Sequence, residues 1–89
     1  MTGRRLILND GTIIENGEAG YSTGSICLWV TGMTMQEAAM LFFDPSKTAV
    51  ITFQYGQMED VYEGYTRCVL LLIDEDGEIT ITMKREVSA

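Results

Sequence analysis

The side chains able to do chemistry in this sequence are acidic and aromatic. Asp74, Asp76 and Glu78 alternate around Gly77, a spacing that resembles the opening of a calcium loop, because hard cations take carboxylate oxygens. The twelve-residue frame and its terminal bidentate glutamate are missing, so a solvated hairpin turn is expected instead. Glu59, Asp60 and Glu63 form a second acidic group beside Tyr62 and Tyr65. Paired carboxylates can act as acid and base on a glycosidic bond, but only when set across a cleft, and nothing here implies one. They read better as charge on an exposed strand, where it discourages uncontrolled pairing.

Other chemistries are excluded more simply. The chain contains no histidine, which removes the commonest general base, the usual nucleophile–histidine arrangements and the usual zinc ligands. Cys27 and Cys68 lie far apart in apolar runs with no metal-binding spacing, and are expected to be reduced and buried. Gly20 to Gly24 lacks the phosphate-cradling pattern of a P-loop. No catalytic residue, cofactor or metal is assigned, and the chain is not expected to be an enzyme. Trp29, Tyr55, Tyr62 and Tyr65 remain. If exposed, they suit contact with a protein or glycan; if buried, they are core. For Trp29 the core beneath a helix is preferred, because tryptophan is highly buried on average.

The elements that position these residues are organised around one amphipathic helix. Thr34 followed three positions later by Glu37 is a capping box and marks a helix start. Met35, Ala39 and Phe42 then fall on one stripe with Ala38 and Leu41 beside it, predicting a helix over 34–43. Pro45 ends it, since its ring disfavours a helical Asp44. A helix this short is marginal alone and must lie on a sheet.

The sheet is read from alternation and turn residues. Residues 4–8 and 12–15 flank Asn9-Asp10-Gly11, a strong hairpin signal, and Asn16-Gly17 marks the next reversal. Residues 18–23 are polar and glycine-bounded, a loop or short edge strand. Residues 25–30 place Ile26, Leu28 and Val30 on one face, with Cys27 and Trp29 on the other. Residues 49–55 turn Ile51, Phe53 and Tyr55 inward. Residues 59–74 are long for one strand, and Gly64 predicts a bend or bulge within it. Its second half, 68–73, is apolar on both faces, as expected of a central strand covered by the helix on one side and a partner on the other. Val69 and Leu71 therefore join the candidate interface. Residues 78–84 alternate cleanly after the Asp74–Gly77 turn, and residues 86–89 are expected to fray.

With 89 residues, 46% of them hydrophobic, the chain is expected to be a single domain over 1–89. Its net charge of −7 repels nucleic acid and anionic membrane surfaces at long range, so neither is expected as a partner. No apolar run approaches the length of a membrane span, and Met1-Thr2-Gly3-Arg4-Arg5 leads into a strand rather than a secretion signal.

The runs Gly32-Met-Thr-Met-Gln-Glu-Ala-Ala, Phe43-Asp-Pro-Ser-Lys-Thr, Ile51-Thr-Phe-Gln-Tyr-Gly and Val61-Tyr-Glu-Gly-Tyr-Thr resemble small uncharacterised proteins from tail-gene regions of phages and prophages of Gram-positive gut bacteria. The similarity runs from about Leu6 to Lys84 and carries no catalytic motif. It implies a virion component or assembly factor, in the cytoplasm of the bacterial host or in the virion, with other tail proteins as possible partners. The sequence thus leads to an α+β fold: a mostly antiparallel, bent sheet of five or six strands with one helix across a face. The function expected is non-enzymatic, structural or in tail assembly, through a homo-oligomer. The alternative is a small binding module that takes a peptide or glycan through surface tyrosines.

Overall fold

The computed structural model describes residues 3–85; the expected fraying of 86–89 lies outside them. Eight strands and two short helices follow one another as β1 (Arg4–Ile7), β2 (Ile13–Glu15), β3 (Glu18–Ser22), β4 (Ser25–Val30), α1 (Met35–Phe42), α2 (Pro45–Thr48), β5 (Val50–Tyr55), β6 (Met58–Glu63), β7 (Arg67–Ile73) and β8 (Ile79–Lys84). The class is α+β, but the single bent sheet is corrected. The strands form two four-stranded sheets, ordered β2-β1-β5-β6 and β3-β4-β8-β7, with every pairing antiparallel.

The chain changes sheet between β2 and β3, at Asn16-Gly17, and again at Gly64. The expected continuous strand over 59–74 is two strands in different sheets, and Gly64 between them takes φ 84°. A side chain is disfavoured in that left-handed region, so glycine there lets the chain turn out of one sheet and into the other. Its N–H donates to the Ala49 carbonyl (2.9 Å), which ends β6 against the start of β5, and Tyr65 then drops into the core at 5% exposure.

Between the sheets lies one cluster of buried side chains. The first sheet contributes Leu6, Ile14, Ile51 and Phe53; the second contributes Ile26, Leu28, Val30, Ile79, Ile81 and Met83. Strict alternation produces this division, since residues two apart on a strand share a face.

Helix α1 follows its sequence. Thr34 is the N-cap: its hydroxyl accepts from the Glu37 N–H (3.1 Å), and the Glu37 carboxylate accepts from the Thr34 N–H (2.9 Å). Phe42 and Ala38 are wholly buried, and the helix packs against β7 and β8. Asp44 caps α2 by accepting from the Ser46 N–H and hydroxyl (3.0 and 2.7 Å), with Pro45 in the first turn, where its missing N–H costs nothing.

Candidate interaction surface

The registers fix which side chains share each outer face. On the first sheet, Glu15, Arg5, Gln54 and Glu59 form one cross-strand row. Arg5 Nε donates to Gln54 Oε1 and Gln54 Nε2 donates to Glu59 Oε2, each at 2.8 Å. Arg5, Gln54 and Glu59 thus satisfy one another, while the neighbouring row on the same face, Ile13, Ile7, Thr52 and Val61, is largely apolar, with Ile13 and Val61 exposed.

The second sheet's outer face gathers its large apolar side chains on β7 and at Trp29. One row reads Leu70, Thr82, Cys27, Gly20, and the next Leu72, Thr80, Trp29, Glu18. Leu70 and Leu72 are 41% and 55% exposed. Trp29 is half-buried rather than part of the core, which corrects its preferred placement beneath the helix. Leu28 and Val30 take the inward positions, so Trp29 must face out. There it lies over Gly20, where an added Cβ would come within 3.5 Å of the indole ring. A large flat ring covers the backbone that a glycine leaves bare.

Strand β7 is also corrected, from a central strand to an edge one: β8 is its one strand neighbour among the described residues. A register shift between Cys68 and Leu70 leaves Val69 bulged and 45% exposed. Past the bulge, Leu71 pairs with the buried Ile81 and turns inward, half-buried against the core. Val69 and Leu71 therefore do not share a face; the outward pair is Leu70 and Leu72. An extra residue in a strand reverses the facing of all that follows, and periodicity alone does not reveal it.

The tyrosines lie elsewhere. Tyr55 stacks on Phe53 (ring centroids 4.7 Å apart), and its hydroxyl donates to Asp60 Oδ2 (3.1 Å), a hydrogen bond that raises its pKa. Tyr62 meets Tyr65 edge-on (6.2 Å), and burial pushes its pKa up. The Arg85 guanidinium sits 4.9 Å from the centre of the Tyr65 ring. These residues pack on the inner side of the first sheet and its exit, away from the outward-facing Trp29. The four aromatic candidates do not form one patch.

The carboxylates likewise diverge. Glu59 pairs across from Gln54 on the outer face, while Asp60 is opposite Phe53 on the inner one. Asp74 is occupied by its own turn, its Oδ1 accepting from the Asp76 and Glu78 N–H groups at 2.9 Å each. Cys27 and Cys68 are free thiols on opposite faces of the second sheet, and burial raises the pKa of Cys68. Among the described residues no helix is long and apolar enough to cross a membrane. No protein-family model, curated protein or solved structure matches the chain.

Proposed function

We propose that this chain is a non-enzymatic structural or assembly protein of a phage or prophage tail region, acting through self-association. The phage-tail context rests on the sequence resemblance. The self-association rests on one observation: among the described residues nothing covers the second sheet's outer face, where the exposed Leu70 and Leu72 lie on an open edge strand; the first sheet's outer face also exposes Ile13 and Val61, but beside a satisfied polar row. Exposed apolar area bounded by an open edge is a liability for a soluble monomer and a contact surface for an assembly. The protein would work in the host cytoplasm or the virion, with other tail proteins as further partners.

The competing idea, a module that grips a peptide or glycan through tyrosines, needs those rings exposed together; Tyr65 is buried and Tyr55 and Tyr62 are half-buried. Light scattering across protein concentration tests the proposal. A mass that rises to a fixed multiple of 9.9 kDa supports it, and a monomer at every concentration overturns the self-association.

A further inference from the structure

The outer face of the second sheet is polarised along its strands. At one end Arg67 and Lys84 stand directly opposite each other on β7 and β8, both exposed. Like charges placed across a ladder destabilise it. The ion pairs present among the described residues, Arg4–Glu18 and Lys47–Asp10, involve neither of them. At the other end lie Glu78, beside Trp29 and Glu18, and the turn acids Glu75 and Asp76. Glu18 already has Arg4, which leaves Glu78 and the turn as the acidic pole. Between the poles run Leu70, Leu72, Trp29, Thr80 and Thr82.

From this we infer that the face binds a second copy of the chain about a two-fold axis that runs between the two copies, parallel to the sheet and perpendicular to its strands, setting Arg67 and Lys84 of each copy over Glu78 and the 74–76 turn of the other. Such an axis reverses strand direction while keeping each strand over its own counterpart. β7 then crosses β7 with Leu70 of each copy meeting Leu72 of the other, and every charge contact is made twice, as an isologous interface requires. The two cations relieve their mutual repulsion by meeting carboxylates that the same face supplies. Another acidic partner would satisfy Arg67 and Lys84, but it would leave Glu78 and the turn facing like charge. This inference rests on the reading of the chain as self-associating and adds the surface and its symmetry.

The test is a charge reversal followed by its compensation, read as a dimer dissociation constant by analytical ultracentrifugation, with circular dichroism reporting folding. Arg67→Glu with Lys84→Glu should weaken association by about tenfold or more, since it makes both poles acidic. Adding Glu75→Lys and Glu78→Lys to the same chain should restore it to within a few-fold. Leu72→Ser, which leaves the inward core untouched, should weaken it independently.

A wild-type chain that stays monomeric overturns this inference and the self-association together. A multimer indifferent to the Arg67/Lys84 and Leu72 changes overturns only the assigned face, leaving self-association through another surface. Weakening without rescue by the compensating pair overturns the two-fold arrangement.

Discussion

Asp10 shows how much organisation one carboxylate carries. Its Oδ1 accepts from the Thr12 N–H (3.0 Å) and hydroxyl (2.7 Å), which shapes the turn between β1 and β2, and its Oδ2 accepts from Lys47 Nζ (2.7 Å) on α2. The Asn9 N–H also donates to the Lys47 carbonyl, so the turn is held to the helix by main chain as well as charge. The Lys47 ammonium, followed by the Thr12 groups, drives the Asp10 pKa far below its ordinary 3.8. A carboxylate whose folded pKa is depressed adds stability above its unfolded value and loses it as pH falls through the folded one. Asp10→Asn should therefore lower the Tm at neutral pH. The gap to wild type should close as pH drops below about 4, which thermal melts over a pH series would show. Lys47, its pKa raised chiefly by the same bond, contributes below its unfolded value of 10.5 and loses that contribution as pH rises through the higher folded one.

Gly64 carries a residue-scale prediction of another kind. An added Cβ would meet only Arg85 side-chain atoms at 3.9 Å, so space is not the constraint; φ is. Gly64→Ala should cost about 1–2 kcal/mol in chemical denaturation, and Gly64→Asn less, because asparagine tolerates left-handed backbone better. Equal costs would mean that the backbone angle is not what demands glycine.

At the scale of elements, α1 was the most legible part of the sequence, because its start signal, stripe and stop are all local and agree. Removing the cap by Thr34→Ala should cost about 1 kcal/mol. Phe42→Ala should cost about 3–5 kcal/mol, since that ring is wholly buried between the helix and the second sheet. Urea titrations of the two variants should separate them by at least about 2 kcal/mol. A similar loss for both would mean that the helix is held by its own hydrogen bonds rather than by packing. Strands β4 and β5 were legible for the same local reason as the helix. Strand β7 was not: six consecutive apolar residues carry no period, so neither its bulge nor its place at a sheet edge could be read.

At the scale of the molecule, alternation told which residues face inward but not how many sheets those faces belong to. Both arrangements bury Leu6, Ile26, Ile51 and Ile81 equally well; the difference rests on whether the chain reverses within one sheet or crosses to another, as it does at Asn16-Gly17 and again at Gly64. The candidate surface was legible as a set of residue types. Trp29, Val69 and Leu71 all lie on or beside the second sheet, yet the outward Leu70 and Leu72 replace Leu71 once the bulge shifts the register.

The order of pairing has a further consequence, for synthesis. The four hairpins are dealt alternately: β1–β2 and β5–β6 to one sheet, β3–β4 and β7–β8 to the other. Each hairpin can close locally as it leaves the ribosome, but the β1–β5 and β4–β8 seams join positions as far apart as Arg5 and Gln54, 49 residues, and Cys27 and Thr82, 55 residues. Loop closure over such distances comes late, and although the first sheet has all its strands once β6 has emerged, the sheet it packs against is only half built until β7 and β8 follow. A fragment ending near Gly64 would carry the whole first sheet but lack Ile79, Ile81 and Met83 from the shared core, and should remain unfolded rather than form half a protein.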